Sequence, residues 1–222
     1  MIYYPKSQNP TVLQDLNHEK SKKSGTYGIR SVWKQLRIDF FDKCYICGNL
    51  AFSPRIEHFR PHNGGYDKDK YFDWNNLMLA CEHCNSIKSN KYTNLIDCTK
   101  HHPDHHIKFL IEPIEKLDAR VIIEIIKNNS DDYQDTKNLL LDVYTGSTDC
   151  KKIGAGILVT QIMRELNTFD SMLKHFIENQ NESNMDLIKR ELNKESTFPA
   201  FKRWYVRNNT KFKELFEKLI ED

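Results

Sequence analysis

Apolar side chains recur along this chain in two periods, with polar and Gly- or Pro-broken stretches between them. Residues 1–29 are polar and interrupted by Pro5, Pro10, Gly25 and Gly28, the pattern of an irregular arm. Trp33, Leu36 and Phe40 then share one helical face, and Ser31 is placed to cap a helix running to about Asp42. Later, IKFLIEP and ARVIIEII, rich in β-branched residues and joined by IEKLD, predict a pair of strands. NNSDD predicts a turn, and residues 133–144 a short helix. Between 149 and 178, Ile153, Ile157, Ile162, Leu166, Phe169, Leu173 and Phe176 recur at steps of three to five. That spacing predicts one long helix with a single apolar stripe, whose default place is a core. Ser183 is placed to cap a further helix to about Asn193, and FPAFKRWYVRNN with a short amphipathic helix closes the sequence. The pattern is α+β, with a mostly helical second half.

Composition narrows this picture. At 222 residues, 39% hydrophobic and 29% charged, the chain is expected to fold and to be soluble. Lys plus Arg is 33 against 31 for Asp plus Glu, so a net charge of +2 gives no global pull toward nucleic acid; such contact must come from a local patch. No apolar run nears the roughly 20 residues of a membrane helix. The opening MIYYPKSQNP has no basic-then-apolar signal. A reducing, cytoplasmic setting follows, with no membrane partner.

In that setting four of the six cysteines read as a metal site. Cys44 and Cys47 form CYIC, and Cys81 and Cys84 form CEHC. Two residues between cysteines let a tight turn aim both sulfurs at one ion, and two such knuckles supply the four thiolates of a structural Zn²⁺. Cys98 and Cys150 are left as free thiols. A simple ribbon places about 15–20 residues between knuckles, whereas here 33 residues, 48–80, intervene. The metal thus clamps the base of a larger loop carrying IEHFRP, NGGYDKDK and DWNNLMLA.

Within that insert Glu57 and His58 sit in an apolar context suited to a strand. Asn76 follows, and Asn85 stands immediately after the last cysteine, near the start of a helix reading NSIKSNK. A hard divalent ion such as Mg²⁺ prefers oxygen ligands, which Glu57 and Asn85 can offer. Imidazole titrates near neutral pH, so His58 suits the removal of a proton from an attacking water.

CYIC, IEHFRP and WNNLMLACEHCNSIKSN resemble the HNH (ββα-metal) endonucleases with a zinc-binding cysteine quartet. The resemblance implies a ββα-metal nuclease core with structural zinc, followed by a mostly helical C-terminal extension. It implies His58 as base, Asn76 as the residue that orients the loop carrying the base, and Glu57 and Asn85 as ligands of a catalytic Mg²⁺ or Mn²⁺. It also places Lys88 to meet a phosphate. The chain departs from the common pattern in having Asn85 where many members have histidine, and Glu57 where many have Asp or His. EHFRP, the arm with YYPK, the N-L-x-L-x-C step and FPAFKRWY are similar to the HNH subunit of Septu-type and retron-associated anti-phage systems. That likeness implies an ABC-like ATPase partner, association with a retron nucleic acid–protein complex, and phage or plasmid DNA as substrate. Its specific part is 44–91.

The expected division is therefore an arm and helix at 1–42, a nuclease core at 43–105, and a hairpin plus helical extension at 106–222 that docks a partner. Arg55, Arg60, Lys88 and Lys91 are the candidate nucleic-acid contacts. His62 and His83 read as spectators, with His83 pointing outward between the cysteines. The HHPDHH run at 101–106 suits an exposed loop better than a second metal site. In FKRWYVRNN, Phe201, Trp204 and Tyr205 stand among Lys202, Arg203 and Arg207, a mixture that suits a protein interface or base stacking. Two rivals remain: a non-catalytic zinc module binding nucleic acid or protein, and an HNH nuclease that cuts RNA, such as tRNA.

Overall fold

Pro10 begins a helix instead of breaking the arm. In the computed structural model, which describes residues 1–115, 118–127 and 130–220, helix α1 spans Pro10–Ser21. Proline fits the first turn because its missing N–H would have no helical partner there. The Asn9 side chain accepts the Thr11 N–H, and Val12 and Leu16 turn inward. The stretch read as irregular thus folds into a helix after residue 9, and the extended segment before it is also engaged: Met1, Ile2 and Tyr4 are buried.

Helix α2 (Arg30–Asp39) starts one residue before the expected cap, with Ile29 at the boundary and no side-chain cap. Strand β1 (Pro54–His58) is followed by the one-turn helix α3 (Lys68–Tyr71), then by β2 (Leu77–Cys81). The two strands pair antiparallel, with Ile56 opposite Leu79 and His58 opposite Leu77. Helix α4 (Glu82–Lys88) follows β2 without a loop. It begins three residues earlier than the sequence suggests, which puts Asn85 inside the helix.

The second pair, β3 (Ile107–Glu115) and β4 (Asp118–Ile125), is also antiparallel. Lys116, Leu117, Asn128 and Asn129, from the expected connection and turn, lie outside the described residues. Five helices follow: α5 (Asp131–Thr145), α6 (Asp149–Glu178), α7 (Glu182–Leu192), α8 (Pro199–Arg207) and α9 (Thr210–Phe216). Asn181, not Ser183, caps α7. Among the described residues no helix is long and apolar enough to cross a membrane.

The apolar stripe of α6 is correct only from Ile162 onward. Ile153 and Ile157 are 66% and 56% exposed, and Ala155 and Leu158 take the inward positions. The buried set 155, 158, 162, 166, 169, 173, 176 advances in steps of three and four, which keeps one face of a 3.6-residue helix. The step of five from Ile157 to Ile162 does not. One apolar cluster runs from Tyr4 and Leu36 through the cysteines to Phe109, Leu139 and Phe201, so the same core underlies residues on both sides of position 105. A smaller cluster joins Phe169 and Leu173 to Ile188, Leu192 and Phe216.

Two features of the knuckles fix them to the helical half. Gly48 adopts φ 74°, a conformation glycine takes at little cost, and its carbonyl accepts the Phe198 N–H at 2.9 Å. His83, expected to point outward, bonds the Val143 carbonyl at 2.9 Å and lies over Gly154 of α6. A Cβ at Gly154 would stand 2.4 Å from His83 Nδ1. Gly154→Val is therefore expected to lose about 1–3 kcal/mol through overpacking, read as a lower midpoint in urea unfolding.

The remaining aromatic and basic run is structural. Phe201, Lys202, Arg203 and Trp204 of α8 are buried. Arg203 and Arg207 reach the buried Asp104 carboxylate at 3.2 and 3.1 Å, and Trp204 Nε1 donates to the Asp104 carbonyl at 2.9 Å. Asp104 thereby pins the His-rich loop to α8. These side chains are core, not a docking surface.

Candidate active site and metal centre

The four cysteine sulfurs lie within 4.8 Å of one another. The first knuckle closes with Gly48 N–H on the Cys44 carbonyl at 2.9 Å, and Tyr45 N–H on the Leu79 carbonyl at 2.9 Å ties it to β2. In the second, Cys81 caps α4 and its sulfur accepts the Cys84 N–H at 3.5 Å. This donor set fits a tetrahedral, thiolate-bound metal such as zinc. Among the described residues no other group of three or more His, Cys, Asp or Glu is arranged to hold an ion, the 101–106 histidines included.

Strand alternation separates the two residues that stand side by side in IEHFRP. Successive strand side chains point to opposite faces. Glu57 turns toward α4, where Lys88 Nζ donates to Oε1 at 2.6 Å and Tyr45 O–H donates to Oε2 at 2.9 Å. His58 turns the other way, among Tyr27, His62 and Tyr71.

His58 Nε2 lies 3.0 Å from the Tyr71 carbonyl. A carbonyl only accepts, so Nε2 carries the proton and the lone pair is on Nδ1. Burial lowers the imidazole to a pKa of about 4, against which the Tyr71 bond works only partly; His62 and Lys88 add to the lowering. His58 is therefore neutral at pH 7 and able to accept a proton. The His62 ring, 4.2 Å from His58, accepts the Gly65 N–H on Nδ1 at 2.8 Å. It stands beside His58 and helps wall it.

Asn76 closes the loop between the strands. Its Oδ1 accepts the Arg60 N–H at 2.6 Å, and its Nδ2 donates to the Arg60 and Lys70 carbonyls, both at 2.9 Å. Both ends of the amide are thus spent on the segment that carries His62 and Tyr71. The arm braces the same turn from behind. Lys6 Nζ donates to the Trp74 and Leu77 carbonyls, and Trp74 Nε1 donates to the Ser7 carbonyl at 2.7 Å.

Glu57 does not fit a divalent ion in this arrangement. The carboxylate is buried and its charge is met by an ammonium that is itself 1% exposed. An ion on Glu57 would stand beside that ammonium. Asn85 is half-buried one turn before Lys88, so it shares that face of α4. The residue that displaces an ion is set by tertiary packing: α4 lies on β1 and carries Lys88 inward onto Glu57. Lys88 likewise is no phosphate contact. Removing it is expected to be costly: Lys88→Met leaves a buried carboxylate unpaired, worth about 3–5 kcal/mol at neutral pH. Burial already holds the Glu57 pKa above its usual value, and losing Lys88 raises it further. A raised carboxylate pKa destabilises the fold above it, so the deficit should shrink as pH falls. Urea unfolding at neutral and mildly acidic pH measures this.

The other expected phosphate contacts stay at the surface, each with a partner in the protein. Arg55 pairs with Glu82 at 2.9 Å and Lys91 with Asp142 at 2.6 Å, while Arg60 donates to the Thr93 carbonyl. Sequence reasoning missed Tyr27 and Tyr71. Tyr27 carries no local signal, because its contact with His58 spans a long stretch of chain.

Residues 44–91 match the family described as HNH endonuclease. No curated protein and no solved structure matches the chain.

Proposed function

With an HNH endonuclease domain at residues 44–91 the chain is a nuclease that hydrolyses phosphodiester bonds, and from this premise we propose that it cuts DNA with His58 as the general base. The observation that carries the reading is the Tyr71 carbonyl on His58 Nε2, which leaves a neutral imidazole with Nδ1 free to act. A water gives its proton to Nδ1 as its oxygen bonds to phosphorus, and the P–O3′ bond breaks with its electron pair leaving on O3′, which takes a proton from solvent. Asn76 holds the loop that supplies the Tyr71 carbonyl, so it acts through His58 and not on the substrate.

HNH nucleases use divalent metals, and Mg²⁺ or Mn²⁺ belongs to this reading on that ground. The Lys88 ion pair withdraws Glu57 from the ligand set, leaving Asn85 as the expected protein donor. Zinc is the metal assigned to the cysteine quartet, with a structural role. The likeness of EHFRP and its surroundings supports a cytoplasmic effector of a prokaryotic anti-phage system, working with an ABC-like ATPase and possessing a retron complex as a candidate associate. Supercoiled-plasmid cleavage with Mg²⁺, Mn²⁺ or a chelator, beside His58→Ala, tests the reading. Undiminished cleavage by the variant would sink it. A labelled tRNA in parallel separates DNA from RNA as substrate.

A further inference from the structure

Of the expected phosphate contacts Lys88 is buried on Glu57, while Arg55, Arg60 and Lys91 stay at the surface with protein partners; a second cation set lies along α2. That set follows Tyr27, a neighbour of His58. Tyr27, whose ring meets His58 edge-on at 4.5 Å, leads within three residues into α2. That helix exposes Arg30, Lys34 and Arg37, spaced i, i+4 and i+7 along one face. They span about 10 Å of helix axis at 1.5 Å per residue. The helix's own carboxylate, Asp39, is turned inward onto Ser7 and Gln35. Arg37 pairs with Asp42 at 2.5 Å. Among the described residues Arg30 and Lys34 have no hydrogen-bond or ion-pair partner.

Aromatic surface runs beside this row. Two adjoining grooves, of 660 and 610 Å³, share Trp33, Arg37 and Asp42 in their walls. Phe41 lines one of them and Phe52 and Pro54 the other. Phe52 is 69% exposed, a large apolar ring held in water without a partner.

We propose that Arg30, Lys34 and Arg37, with Trp33 and Phe52 beside them, bind a single-stranded nucleic-acid segment that leads into His58. The proposal rests on the nuclease reading for the second half of that statement. Cations in a row take successive phosphates, and exposed aromatic faces take unstacked bases whatever their identity. A duplex keeps its bases stacked and has no use for the aromatic wall. A protein partner would account for Phe52, but not for a cation row that follows Tyr27, the neighbour of His58, with Asp42 as the sole acidic residue lining the groove.

The test is binding of fluorescein-labelled oligo(dT) to full-length His58→Ala protein, followed by anisotropy across a salt series. Adding Arg30→Glu and Lys34→Glu together should weaken binding at least tenfold. It should also flatten the log K against log salt slope by about 1.4, since each phosphate contact on a single strand contributes about 0.7. Phe52→Ala should weaken binding about 5- to 150-fold, the worth of one stacked base, with the slope unchanged. All three positions are exposed, so an unaltered melting temperature confirms the fold. Unchanged affinity and slope in the double reversal would overturn the proposal. So would equal competition by a duplex of the same length, or no oligo(dT) binding at low salt. Plasmid cleavage by the unsubstituted protein is scored separately. Cleavage without binding that depends on these residues rejects the strip alone. Such binding without cleavage upholds the strip and rejects the catalytic reading.

Discussion

Stripping the metal from the cysteine quartet is expected to unfold residues 44–91 and most of what packs on them. The four sulfurs lie within 4.8 Å of one another and have no disulfide. Metal-free, they would be four buried polar groups brought together with little to stabilise their proximity. Structural zinc in small domains binds with an apparent free energy of about 10–16 kcal/mol, and that energy is folding energy. A whole domain has about 5–15 kcal/mol of stability in total, so the metal's share decides the outcome. The loss should spread because the knuckles are anchored outward, Gly48 on Phe198 just before α8 and His83 on Val143 of α5. The measurement is circular dichroism and thermal melting after dialysis against a strong chelator, with Cys44→Ser as the genetic counterpart. A single cooperative melt at the original temperature would show the quartet to be dispensable. Metal analysis of the native protein, expected to give one zinc per chain, completes the test.

What the sequence makes legible follows from how local each signal is. The knuckles are legible because two residues between cysteines is a local geometric constraint, and the second strand pair because β-branched runs mark it. The inner face of α6 is legible where the chain keeps steps of three and four, from Ile162 to Phe176. It is lost at Ile153 and Ile157 because the face there is chosen by docking onto His83 and α5, not by local periodicity. The separation of Glu57 from His58 was contained in the strand assignment, since neighbours in a strand face opposite ways. Lys88 and Arg203 are illegible in the sequence for a common reason. Cationic residues are assumed solvated, and only tertiary contact with Glu57 and Asp104 reveals them as buried counterions. Tyr27, Tyr71 and Lys6 reach the site from distant parts of the chain, and nothing in their own neighbourhoods announces it.

Replacing His58 by alanine should lower phosphodiester cleavage by about 10²–10⁴-fold, the usual worth of a positioned general base. The fold should survive, because His58 ends β1 and its loss leaves the Asn76 bonds to Arg60 and Lys70 in place. The pH profile distinguishes a base from a merely structural histidine. An imidazole in water titrates near 6.5, and a base of that kind would lose activity as pH falls from 7 to 6. Burial holds His58 at about 4. It therefore stays neutral through that interval, and its contribution to the rate should begin to fail only as pH approaches about 4. The cleavage rate at fixed metal concentration should be flat between pH 6 and 8 as far as His58 is concerned, and the alanine variant should be low throughout. Replacing Tyr71 cannot probe the orienting bond, because the acceptor is a backbone carbonyl. Asn76→Ala can, by releasing the loop that presents it. That variant should fall between the two, with its remaining activity acquiring an acid limb nearer 6.5 as water reaches the imidazole. If His58→Ala lowers the rate while Asn76→Ala leaves both rate and profile untouched, the base stands and the positioning role of Asn76 does not.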